Sequence, residues 1–209
     1  MQIKNILFSA CFLIRNYRTS TKNSLKLTKD LDEVIIGCML GDLSAEKPSS
    51  RHNTRLQFKQ SVIHQAYIDH LWSLFKTYCG SKPLNLSRFD DRPGKLKTYW
   101  AIKFQTLSLD CFNVYRKLFY NSNGIKIVPI NLELLLTARG LAYWFMDDGY
   151  SLEDNKNLAN ILNKKFNLQA SVHKVTNGYR LYIPSSTKGK FLLLIKPYLI
   201  PHFLYKIDI

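Results

Sequence analysis

The stretch Leu141-Ala-Tyr-Trp-Phe-Met-Asp-Asp148-Gly149 runs apolar and aromatic until two carboxylates and a glycine close it. With the residues from Leu134 onward it is apolar on every side, the pattern of a helix buried all round. A carboxylate in the last turn of such a helix meets the negative end of the macrodipole. That cost calls for compensation, and a bound cation is the simplest kind. An earlier segment, Leu31-Asp-Glu-Val-Ile-Ile-Gly-Cys-Met-Leu-Gly-Asp42, repeats the arrangement. Two buried helices that both end in aspartate say more than one.

Outward from these helices, the sequence alternates between strand and helix periods. Arg55, Gln57 and Lys59 share one face of a strand, with Leu56 and Phe58 behind them. Lys97, Tyr99, Lys103 and Gln105 lie opposite Trp100, Ile102 and Phe104 in a second strand. Arg180 and Tyr182 lie opposite Tyr179, Leu181 and Ile183 in a third. These read as half-buried antiparallel strands. Their outer faces hold cations, amides and tyrosines, which suits phosphates and base edges; Arg88 and Lys174 join that candidate set. Amphipathic helices are expected over 62–78, 108–120, 158–166 and 188–199, with Ile63, Ala66, Tyr67, His70, Leu71, Leu74 and Phe75 at helical spacing in the first. Asn121-Ser-Asn-Gly124 reads as the linker. The order is helix, hairpin, helix, hairpin, helix, then an incomplete repeat.

Composition narrows the partner. Of 209 residues, 30 are Lys or Arg and 15 are Asp or Glu, giving a net charge of +15. Such an excess favours a polyanion, nucleic acid before membrane, because neutralising phosphates releases counterions. No apolar run approaches the roughly 20 residues of a membrane span. Four widely spaced cysteines, Cys11, Cys38, Cys79 and Cys111, suggest neither a zinc site nor a disulfide framework. Residues 1–29 carry six cations and no acid, with Ser and Thr interspersed. That start resembles a mitochondrial targeting peptide, or the basic arm of an organelle-encoded chain.

The two aspartate helices resemble the paired motifs of the LAGLIDADG homing endonucleases, single-chain type. The matching nonamers are Ile35-Ile-Gly-Cys-Met-Leu-Gly-Asp42-Leu43 and Leu141-Ala-Tyr-Trp-Phe-Met-Asp-Asp148-Gly149. Ala66-Tyr-Ile-Asp-His70, Ile127-Val-Pro129, Leu194-Ile-Lys-Pro-Tyr-Leu-Ile-Pro201 and Leu204-Tyr-Lys206 are similar to stretches of mitochondrial, intron-encoded members. The resemblance implies an α+β fold of two pseudo-symmetric αββαββα halves, packed through the motif helices, with antiparallel sheets forming a DNA saddle. The halves would be 24–124 and 125–209, after an arm at 1–23. It implies a monomer cutting both strands of a double-stranded DNA site, leaving 5′-phosphate and 3′-hydroxyl ends. Asp42 and Asp148 would hold Mg²⁺ or Mn²⁺, with carbonyls of Gly41 and Asp147 as further ligands. Lys126 and Lys206 match the active-site lysines, and Gln57 is a candidate for positioning water or phosphate. Lys59 stands where a family member carries an acid.

The halves are unequal. Asp42 to Lys126 is 84 positions, whereas Asp148 to Lys206 is 58. Most of the shortfall lies between Asp148 and Leu168, the expected start of the matching strand. Tyr150 to Asn157 is too short for two strands, a turn and a helix entry. The second half is therefore expected to lack its first hairpin. Three accounts of that gap stand: an endonuclease with one relaxed half-site, a skipped coding segment, or a decayed enzyme. The decayed enzyme would bind structured organellar RNA, as an intron maturase or a ribosome-associated factor.

Overall fold

The computed structural model describes residues 25–92, 94–147, 152–176 and 178–207. The first 24 residues and Asp148 lie outside them. Helix α1 (Lys29–Met39) leads to strands β1 (Ser44–Glu46) and β2 (Arg55–Ser61), helix α2 (Gln65–Phe75), strands β3 (Leu84–Asp90) and β4 (Lys97–Gln105), and helix α3 (Asn113–Phe119). After the short α4 (Leu132–Leu135) come α5 (Ala138–Asp147), α6 (Leu152–Phe166), strands β5 (Ser171–Val175) and β6 (Gly178–Tyr182), and α7 (Ser185–Ile195).

The first sheet is antiparallel in the order β1-β2-β4-β3; the second is the two-stranded β5-β6. The counterpart of the β1–β2 hairpin is absent between α5 and α6 among the described residues, as the residue count implied. Several boundaries differ from the sequence reading; α7, for one, runs over Ser185–Ile195 instead of 188–199. The long apolar segment breaks at Leu136, which is extended, and Thr137 Oγ1 accepts the Gly140 N–H at 3.1 Å to start α5. Helix α6 begins at Leu152 rather than Leu158. Strand β5 starts at Ser171, not Leu168, because Asn167 and Gln169 adopt positive φ and turn the chain first. In α2 the buried stripe is Tyr67, Ile68, Leu71 and Phe75, while Ile63 and Ala66 face solvent.

Why α1 and α5 pair so closely is visible at Gly37. A Cβ built there would stand 2.2 Å from the Gly140 carbonyl oxygen and 2.9 Å from Tyr143 Cβ. Backbone cannot step aside as a side chain can, so only glycine permits this approach. Gly37→Ala is expected to cost at least about 2 kcal/mol, read as a lower urea midpoint at unchanged m-value. Arg139 reinforces the pairing through Asp30 at 2.6 Å, and Tyr115 Oη donates to Asp32 at 2.6 Å from the α3 side. Beneath the first sheet, Phe58 stacks on Phe104 with centroids 4.5 Å apart and tilts against Phe75. These contacts make the sheet a rigid support whose other face is open.

Candidate active site and nucleic-acid interface

The C-terminal ends of α1 and α5 converge. Asp42 lies exposed in the turn after α1; Asp147 is the last residue of α5 and only 6% exposed. A Cβ added at Gly41 would fall 2.2 Å from Asp147 Cβ, so the two chains touch here as well. Gln60 joins the carboxylates. Its Nε2 donates to Asp42 Oδ2 at 2.9 Å and to Asp147 Oδ1 at 3.1 Å. A small cleft lined by Asp42, Lys59, Gln60 and Asp147 opens at this junction.

Each candidate lysine lies by one helix end. Lys126 Nζ donates to the carbonyls of Gly41 at 2.6 Å and Leu43 at 2.8 Å. The turn Asn121-Ser-Asn-Gly124 presents it: Gly124 takes φ of 74°, and Asn121 Oδ1 accepts from the Asn123 and Ile125 amides. The expected linker is thus a tight turn with a positioning task. Lys206 Nζ donates to the carbonyls of Phe145 and Met146, both at 3.4 Å, and lies over the Phe203 ring. Lys206 thus offsets the negative end of α5 at its last carbonyls, while Lys126 holds the turn that follows α1.

Burial sets the electrostatics. Asp147 is pushed up to about 8, first by desolvation and then by the neighbouring Asp42; its hydrogen bond with Tyr67 opposes this. Lys126 is lowered to about 8 by desolvation, against the pull of Asp147 and Asp42. Tyr67 Oη also meets Cys38 Sγ at 3.6 Å. The junction is therefore a set of hard oxygen donors short of positive charge, which fits Mg²⁺ or Mn²⁺. The Gly41 carbonyl expected to serve as a ligand is engaged by Lys126.

Two expectations change here. Gln57, expected to position water or phosphate, lies on the open face, where the register pairs it with Ser44 and Gln105. Gln60 meets the carboxylates because it ends the apolar face of β2, beyond Leu56 and Phe58, where the strand has run past the core. Asp147 was expected to act through its carbonyl, yet its side chain is what meets Asp42 through Gln60. The sequence carried a signal for both: a lone amide on an apolar strand face, and a seven-residue spacing from Gly140. Gln60→Ala is expected to slow DNA cleavage about 10- to 100-fold at saturating metal, with a raised metal requirement, measured by metal titration of the cleavage rate.

The open face of the first sheet carries Gln57, Lys59, Arg88, Lys97, Tyr99, Lys103 and Gln105 together. Lys59 stands directly opposite Lys103. Like charges so placed destabilise a sheet unless an anion lies over them. Arg55 shares this face but is paired with Glu46 at 2.9 Å. On β5–β6, Arg180 and Tyr182 share a face with His173, whose ring stacks on Tyr182. Lys174 does not join them. It pairs with Tyr179 on the face of Val172 and Leu181, which pack toward the core.

A sequence profile of the LAGLIDADG DNA endonuclease family matches residues 32–191. A protein of Debaryomyces hansenii called cytochrome b mRNA maturase bI2 is 32% identical over 87% of this chain and 74% of its own length. A probable intron-encoded endonuclease 1 of Wickerhamomyces canadensis is 32% identical, covering 93% of this chain and 90% of the relative. The solved structure of the homing endonuclease I-WcaI bound to its DNA recognition sequence superposes with a TM-score of 0.81. It is 30% identical, with 94% of this chain and 92% of that one covered.

Proposed function

Because the chain belongs to the LAGLIDADG DNA endonuclease family, we propose that it cuts both strands of a double-stranded DNA site at the foot of α1 and α5. The observation that carries the reading is the meeting of Asp42 and Asp147 on one Gln60 amide, beside a sheet face of cations and amides.

The residues divide the work. Asp42 and Asp147, with Asp148 next in the chain, would hold a divalent cation. When bound, that cation supplies an acidified water and charge neutralisation at the leaving oxygen. Gln60 fixes the direction of both carboxylates. Lys126, lowered to about 8, holds or releases a proton at Nζ near neutral pH beside the Gly41 carbonyl. Lys206 balances the second helix end. Lys59, Lys103, Lys97, Arg88 and Arg180 track phosphates, while Gln57, Gln105 and Tyr99 face base edges. The basic N-terminal arm and the intron-encoded relatives support an organellar, mitochondrial setting.

The test is incubation of the purified chain with a randomised plasmid library and Mg²⁺. Linear products with 5′-phosphate and 3′-hydroxyl ends are expected, and none in EDTA. Binding to a selected site should fall with salt at a log–log slope of at least about −4, since five cations each displace about one counterion. A slope near zero would exclude the sheet face as the phosphate track. A second reading is favoured by the Debaryomyces hansenii maturase, which resembles most of this chain. In that reading the scaffold binds intron RNA, and RNA affinity with no cleavage of any library member would select it.

A further inference from the structure

Of the five histidines, His52 is engaged by Ser49, His70 by Tyr143 and His173 by Ser171. The other two face each other. His64 Nδ1 lies 3.1 Å from His202 Nε2. His64 closes the 3-10 turn before α2 in the first half; His202 sits in the 3-10 segment Pro201–Lys206 at the end of the second. The rings meet edge to face, 5.4 Å between centroids, and both lean on Phe203, which is fully buried. Each imidazole is itself half-exposed.

We infer that His64 and His202 form a binding site for a borderline transition-metal ion of the Ni²⁺, Cu²⁺ or Zn²⁺ class, clasping the two halves together. One imidazole now donates an N–H to the other. A metal ion displaces that proton and sits to one side of the line joining the nitrogens, each ring turning its lone pair toward it. Two metal–nitrogen bonds of about 2.0–2.1 Å, meeting at about 100°, span the nitrogen separation found here. That angle falls between the octahedral and tetrahedral values. The half-exposed rings leave room for water to complete the coordination. Phe203 fixes both rings, so little side-chain freedom is lost on binding. The donors are nitrogen, whereas the aspartate junction offers oxygen, so the two sites select different metals. Occupancy would fasten the Pro201–Lys206 segment to the first half, and Lys206 ends that segment.

The probe is Ni²⁺ added to the tag-free full-length chain, followed by calorimetry. Two classes of binding are expected below about 1 mM, one at the histidine pair and one at the aspartate junction. His64→Asn and His202→Asn are each expected to weaken the first class at least tenfold, with circular dichroism confirming the fold, whereas Asp42→Asn leaves that class unchanged and weakens the second. Cu²⁺ electron paramagnetic resonance on the unmodified chain should show coupling to two nitrogens, a readout that survives even if a variant misfolds. Equal affinity of the first class in both histidine variants, its loss in Asp42→Asn alone, oxygen-only coordination of Cu²⁺, or no binding at 1 mM would each overturn the assignment.

Discussion

Asp42→Asn is expected to lower plasmid cleavage at least about 1,000-fold while changing DNA affinity in EDTA by less than about threefold. The carboxylate lies exposed beside the cleft, so its loss removes a cation ligand without opening a cavity. The amide still accepts from Gln60 through its oxygen. The companion comparison is Asp147→Asn against Asp148→Asn. Of these two neighbours, Asp147 shares a donor with Asp42. If Asp147→Asn retains full activity while Asp148→Asn has none, the cation is held by the second carboxylate and Asp147 serves the helix interface.

Stability without metal should fall as pH rises from about 4 to 8. Asp147 in the folded chain keeps its proton up to about pH 8, raised by burial and by Asp42. In the unfolded chain it is lost near pH 4. The folded state thus binds more protons between those values, and stability falls as pH rises through that window. Lys126 acts in the opposite sense above it. Folded, it releases its proton near pH 8, lowered by burial; unfolded, it does so near pH 10.4. Above about pH 8.5, however, the thiols of Cys38, Cys79 and Cys111, all pushed up by burial, keep protons that the unfolded chain has lost, and they outweigh Lys126, so stability does not recover there. The falling limb amounts to up to about 5 kcal/mol, measured as urea midpoints from pH 4 to 10 in EDTA. Asp147→Asn should flatten that limb, and Mg²⁺ should offset it by binding the folded state alone. A midpoint that rises steadily from pH 5 to 8 in EDTA would show that Asp147 is ionised throughout.

The large-scale architecture was legible because its signals are periodic. Alternation of Leu56 and Phe58 with Gln57 and Lys59 gave the first sheet its two faces, and residue counting located the absent hairpin. Legibility failed where phase or distance mattered more than composition. Gln60 shares the parity of Leu56 and Phe58, so it reads as core-facing until the strand is seen to outrun the core. Asp147 and Asp148 are chemically identical neighbours; the helical phase from Gly140 turns the first toward α1. Lys174 lost its place on the outer face through a register that no local pattern fixes. His64 and His202 are 138 positions apart, and nothing in the intervening sequence announces that they touch.

The lone β5–β6 pair has a consequence for the genome that such an enzyme visits. On the proposed reading, the four strands of the first sheet would scan one flank of the target and β5–β6, the pair found among the described residues, the other, so the flanks would contribute unequal numbers of discriminating base pairs. Sequence drift under β5–β6 would then weaken recognition less than the same drift under the first sheet. Tolerated variants of the insertion site should therefore cluster on one side of the cut.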